Sequence, residues 1–346
     1  MSNLTIALTA LGAVVLAGIV AHGAWTARRA DPRRGAHEAR AMELRDEPVM
    51  VDDVPPADAP PSFALELKTP RRTVARLDAL IDAIARLSLD ASVSGELLLA
   101  HLPPTRRAGG KPMLIEGLNL LSDEWEPPVA GEQYIEVQAG VQLANRGGAL
   151  NEIEYSEFVQ AVQPFCESIG AMADFPDMLE VVSRARELDT FASQHDAQLA
   201  VHLHARSAPW SVSYIQQHAG RHGFVPGPVP GRLVLPAVED GAPPVLTLVF
   251  DSLTALEENP HQAVVRDVTL SFDVPQTDAG ADPFASWQAS AQALSLGMDA
   301  AIVDDQGQPL NPQGFAAIGA ELGDLYQALE QRDLPAGSMA TRRLFS

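Results

Sequence analysis

From Leu4 to Trp25 the chain carries no charged side chain, and Arg28, Arg29, Arg33 and Arg34 follow at once. At 1.5 Å per residue a helix over that run spans about 33 Å, enough for the roughly 30 Å hydrocarbon layer of a bilayer. The reading is a transmembrane anchor over residues 1–27, against a cleaved signal peptide or a buried core helix. A signal peptide needs its positive charge before the apolar run, and Met1, Ser2 and Asn3 supply none. With the arginines on the far side, the positive-inside rule leaves the body of the chain in the cytoplasm. Trp25 suits the aromatic belt at the interface, and Gly12, Gly18 and Gly23 offer a helix-packing face for self-association.

Residues 28–70 form the next unit, basic at first and then acidic, with Pro48, Pro55, Pro56, Pro60, Pro61 and Pro70 spread through it. Such a composition builds no core and favours extended structure, so the segment reads as a tether. Its acidic part, from Glu43 to Pro70, reaches at most about 85 Å at roughly 3.1 Å per residue. A formal charge of −21 over 346 residues argues against nucleic acid as a partner, because phosphate binding needs a basic face. The acidic body is likewise repelled from anionic lipid, while the arginines beside the anchor are drawn to it. The single cysteine, Cys166, excludes an intrachain disulfide, and its apolar setting among Val162, Phe165 and Ile169 reads as core.

Beyond the tether the pattern is α+β, in two halves over residues 71–196 and 197–331, with a tail over 332–346. In the second half, Leu199 to Leu203 alternates like a strand and Ser211 to His222 reads as a helix capped by Ser211. Strands follow at Arg232–Leu235, Val245–Phe250 and Val264–Val274. Pro283–Met298 is then helical, Ala300–Val303 a strand, Asp304–Asn311 a turn, and Pro312–Gln331 a helix opened by proline. This order suits an antiparallel sheet with helices on one face. The first half repeats the beats more loosely: Ala79–Leu89, as strand or helix, helix Ser94–Leu102, strands Met113–Glu116 and Tyr134–Leu143, then helices Tyr155–Ile169 and Asp177–His195. Tandem duplication and an unrelated α+β unit both stand open for it.

The segments Asp267-Val268-Thr269-Leu270-Ser271-Phe272-Asp273-Val274-Pro275 and Ala301-Ile302-Val303-Asp304-Asp305-Gln306, with Pro312-Gln313 opening the last helix, resemble the C-terminal domain of ZipA-type cell-division proteins. Those proteins also begin with an uncleaved anchor and a proline-rich linker. Ser94-Gly95-Glu96-Leu97-Leu98-Leu99 is similar to the opening helix of the same domain, which would make the first half a diverged copy. The resemblance implies a non-enzymatic divisome adaptor of the bacterial inner membrane, acting at the septum without a cofactor. Its partner would be the C-terminal peptide of the tubulin-like protein FtsZ, held in a shallow groove on the exposed sheet face. Strand parity places Val264, Val268, Leu270, Phe272 and Val274 under the helices and Ser271 in the groove. Leu199, Val201, Val229, Leu233, Thr247 and Val249 complete the expected lining. The sequence departs from the family in placing Ser271 where a groove aromatic belongs.

Other chemistry has weaker signals. His202 and His204, two apart on a strand, and His218 and His222, four apart on a helix, are each spaced for a metal, but no carboxylate or cysteine neighbours them in sequence, so no metal site is expected. Asp304-Asp305-Gln306-Gly307 begins like a calcium loop and then lacks the later ligands, which favours a turn. Arg106, Arg107 and Lys111 read as an exposed basic loop. No phosphate-cradling glycine loop or Gly-x-Ser-x-Gly elbow is present. The competing functional readings are a membrane-anchored enzyme or small-ligand sensor with its site between the halves, and a scaffold for another division protein.

Overall fold

A computed structural model describes residues 76–239, 241–256 and 264–346. The expected anchor and tether lie outside these residues. Among the described residues no helix is long and apolar enough to cross a membrane.

The first half opens with β1 (Asp82–Leu89), in which Ala83, Ala85 and Leu87 are buried while Arg86 and Ser88 are exposed. That period of two decides strand over helix, and the three residues before it form a turn. β2 (Val93–Ser94) leads into α1 (Gly95–His101), where the Ser94 hydroxyl accepts the Leu97 N–H. β3 (Arg107–Ala108), β4 (Lys111–Asn119), β5 (Trp125–Glu126) and β6 (Gln133–Gln142) follow, then a small hairpin of β7 (Ala144–Asn145) and β8 (Gly148–Ala149). α2 (Glu152–Ile169) starts with a reciprocal cap between Asn151 and Glu154 and stops at Gly170, whose φ of +69° suits glycine. β9 (Ala171–Asp174) and α3 (Met178–His195), capped by Asp177, end this half.

The second half runs β10 (Gln198–Ala205), β11 (Trp210–Ser211), α4 (Val212–Gly220), β12 (Val225–Pro226), β13 (Arg232–Leu235), β14 (Leu246–Val249) and the short α5 (Ser252–Ala255). After it come β15 (Val264–Val265), β16 (Asp267–Asp273), α6 (Pro283–Met298), β17 (Ala300–Val303), α7 (Pro312–Glu330) and α8 (Met339–Leu344). The long strand expected over Val264–Val274 is broken at Arg266, whose carbonyl accepts the Ala205 N–H at 2.9 Å while Val265 pairs with Trp210. The break resets the alternation. Val264 is exposed, so it does not share the buried face of Val268, Leu270 and Phe272 as parity predicted.

Besides two-stranded sheets of β7-β8 and β11-β15, two large antiparallel sheets result, ordered β3-β4-β6-β1-β9, with β2 added on β6 and β5 on β4, and β12-β13-β14-β16-β10-β17. In each, the first long strand sits between the strand that precedes the long helix and the short strand between the last two helices: β1 between β6 and β9, β10 between β16 and β17. The halves therefore share the placement of their first long strand between these two neighbours, while the second sheet carries one more strand along its path. Each sheet packs one face on helices. Trp287 of α6 sits at the centre of the second core, against Phe272, Phe284 and Phe315, and its indole N–H donates to the Leu270 carbonyl at 3.0 Å. Burying both ring and N–H in this way satisfies the polar handle of a large aromatic.

The described residues all belong to one compact unit. α7 joins the cores, with Phe315 and Leu322 in the second and Leu329 in the first. The tail then returns to the first half, placing Leu334, Leu344 and Phe345 in its core. Arg343 makes a bidentate pair with Asp82, at 2.8 and 2.6 Å, and the Asp82 side chain is fully buried. Gln142 donates to the Arg343 carbonyl and Gln276 to that of Phe345, so one short helix is bonded to both halves.

Candidate peptide-binding face

Among the described residues the helices leave the other face of the second sheet uncovered, and strand register determines which side chains floor it. Residues directly opposite in an antiparallel pair share a face. One row across the sheet is Val225, Val234, Thr247, Ser271 and Ala200; the next is Arg232, Val249, Thr269, His202 and Val303. The centre of the first row is built from small side chains, and Ser271 is only 5% exposed between Thr247 and Ala200. The result is a shallow trough, aliphatic toward β12, β13 and β14 and polar toward β10.

Thr247, Val249 and Ser271 therefore lie where the sequence placed them. Leu199, Val201 and Leu233 do not. Leu199 stands opposite Phe272, Val201 opposite Leu270 and Leu233 opposite Leu248, all on the helix-covered face. Val201 is fully buried and Leu233 nearly so. Val229 lies in the loop before β13, half exposed, where its carbonyl accepts the Arg232 N–H at 3.2 Å. The residues that sequence reasoning missed are Val225, Arg232, Val234, Ala200 and His202. In β10 the signal was present, since the polar members of the alternation, His202 and His204, mark the free side. The exposed sites of Val225 and Val249 had no such marker.

The polar end of the trough is held by local pairs. His202 contacts the Thr269 hydroxyl at 3.0 Å through Nδ1 and the Asp305 carboxylate at 2.9 Å through Nε2, while His204 pairs with Asp267. The carboxylates absent from the local sequence thus arrive from β16 and from the loop after β17. Each histidine has its own aspartate, and no cluster of three or more metal-ligating side chains occurs among the described residues. Arg232 stands at the aliphatic end, its guanidinium 3.3 Å from the Thr247 hydroxyl.

The remaining motifs have structural employment. His218 packs against Tyr214 at 4.3 Å between ring centroids, the rings tilted by 42°, and burial, with Arg221 and His222 nearby, pushes its pKa below the ordinary histidine value. The Asp304 carboxylate accepts the Gln306 and Gln308 N–H groups at 2.9 and 2.8 Å, closing a turn in which Gly307 has φ +75°. Lys111, expected on an exposed basic loop, is instead buried and donates to the Asn145 side chain at 2.9 Å, because β4 begins there. Burial pushes the Cys166 thiol up to about 11. Between the halves, Arg146 is engaged by Asp196 at 2.6 Å and Asp273 at 2.7 Å, so this polar cluster ties the two sheets together.

A scan against protein-family models finds no match for this sequence, and no curated protein matches it.

Proposed function

We propose that this chain is a membrane-anchored divisome adaptor that binds the C-terminal peptide of FtsZ on the free face of the second sheet. It tethers FtsZ filaments to the bacterial inner membrane during septation and performs no catalysis. The observation that carries the reading is the trough itself: an antiparallel sheet with helices on one face only, whose other face offers aliphatic side chains over a floor of small ones. An amphipathic peptide can lay its apolar anchors on Val225, Val234 and Val249 and keep its polar side in water. The apolar amino-terminal run, the flanking arginines and the proline-rich tether support the same reading by coupling such a face to a membrane.

The trough holds no aromatic side chain. Each absent ring removes about 1.5–3 kcal/mol of burial energy, a loss of roughly ten- to 150-fold in the affinity of a single contact. Attachment then comes from avidity, because many tethered copies meet many tails on one filament and the second contact forms at high effective concentration.

The test is fluorescence anisotropy of a labelled FtsZ C-terminal peptide titrated with the soluble body, residues 63–346. Saturable binding that Val249→Glu abolishes, with the fold intact by circular dichroism, is the expected result. Absence of binding by the folded wild-type body would reject both partner and face.

A further inference from the structure

The two sheets have corresponding free faces, but they are not in the same state. Across the free face of the first sheet lies the chain's own segment Arg76–Leu80, which precedes β1. Leu77 is seated on Gly140 of β6, so closely that a Cβ added at Gly140 would stand 2.4 Å from Leu77 Cδ2. The Leu77 N–H donates to Glu116 Oε1 at 2.9 Å. Glu116 is on β4, opposite Gln138, whose side-chain amide donates to the other carboxylate oxygen at 2.9 Å. At 2% exposure this carboxylate is covered by the strap it binds.

The strap is pinned at both ends. Arg343 donates to the Arg76 carbonyl at 2.6 Å and Arg76 donates to the carbonyl of Trp125, while the Asp78 N–H donates to the Asp82 carboxylate at 2.8 Å. Around the seat, Leu114, Leu118 and Ile84 are half-buried on the same face by register. A glycine that admits an aliphatic side chain, beside a buried acceptor for a backbone N–H, is a receptor for extended chain.

We infer that the free face of the first sheet is a second peptide-binding face, closed in cis by Arg76–Leu80. When open it takes an extended segment that offers an aliphatic side chain to Gly140 and a backbone N–H to Glu116. That this ligand is also the FtsZ tail rests on the function proposed above; the seat itself is read from the strap. Covalent attachment gives the strap a millimolar effective concentration, which a free peptide with similar contacts does not match. The intact chain therefore has one vacant face rather than two.

The experiment uses the full chain, wild type and Leu77→Glu, with a labelled synthetic peptide spanning Arg76–Ile81 added in trans. Glutamate at position 77 removes the aliphatic anchor and sets a negative charge against Glu116. The peptide should bind Leu77→Glu saturably, at least about tenfold more tightly than wild type. A second change, Gly140→Ala, should weaken that binding by crowding the seat. Leu77→Ser, which opens the strap without a charge, replaces Leu77→Glu if the latter fails to fold. In the opened variant the FtsZ tail should bind at two per chain, against one in wild type.

If the opened, folded variant shows free amide exchange at residue 77 yet no binding of the strap peptide, the inference is overturned and the strap is merely a cover. If the strap peptide binds as expected while the FtsZ tail binds neither protein, the second face stands and the proposed partner falls.

Discussion

At the scale of single residues, burial separates side chains that resemble one another in sequence. Val201 and Val249 are both strand valines of one sheet, yet Val201 faces the helices fully buried and Val249 is 41% exposed on the trough. Glutamate at 201 places an unpaired charge in the core and is expected to unfold the domain, whereas at 249 it should leave the melting temperature near wild type and remove peptide binding. Thermal denaturation of the two variants in parallel checks this. Asp82 and Arg343 illustrate the opposite case, a charge already buried. Burial pushes the Asp82 carboxyl above its ordinary range and Arg343 draws it back, so the pair mainly offsets its own desolvation. Removing one partner leaves the other stranded: Arg343→Ala should cost about 3–5 kcal/mol in urea unfolding, and replacing both by apolar residues of similar volume should cost much less. At Cys166 the raised thiol pKa, about 11, leaves about a thousandth of the side chain as thiolate at pH 8. A thiol reagent should therefore label native protein far more slowly than urea-unfolded protein.

At the scale of elements, the helices are announced by their caps and the strands by their alternation. Ser94, Asn151, Asp177, Ser211, Asn311 and Ser338 each accept an N–H of the helix they open, and Pro283 and Pro312 stand at first turns. These are local interactions, and the helices near them were placed to within a few residues from sequence, except α8 after Ser338, which fell in a segment read only as a tail. The short strands were harder. β5, β7, β8 and β9 have between two and four residues each, and their pairing is decided by partners far along the chain. Where one strand became two, at Arg266, the break falls where the apolar alternation is itself interrupted, since Arg266 occupies the register of Val264 and Val268, and its carbonyl bonds a distant backbone partner, Ala205.

At the scale of the whole molecule, the tail unites what the sequence divides. α8 carries Arg343 to β1, Leu344 and the following Phe345 to the first core, and a bond from Gln276 of the second half. Deleting residues 338–346 removes the buried Leu344 and Phe345 from the first core, at about 1.5–3 kcal/mol each, and leaves Asp82 without Arg343. Calorimetry of the truncated chain should show a lowered first transition, with the core around Trp287 unfolding separately. A single cooperative transition at the wild-type temperature would show that the tail contributes no coupling.

The sequence by itself determined the α+β class, most helices, the order of the longer elements apart from β1, which stood open between strand and helix, and the free-face positions Thr247, Val249 and Ser271, because caps, turns and alternation act over a few residues. The tertiary structure decided which parity of β10 and β13 faces the helices, since register depends on the partner strand: Leu199, Val201 and Leu233 turned inward for that reason. It also decided that, among the described residues, one free face is bare while the other carries Arg76–Leu80, which comes to rest on strands that lie far from it in the chain.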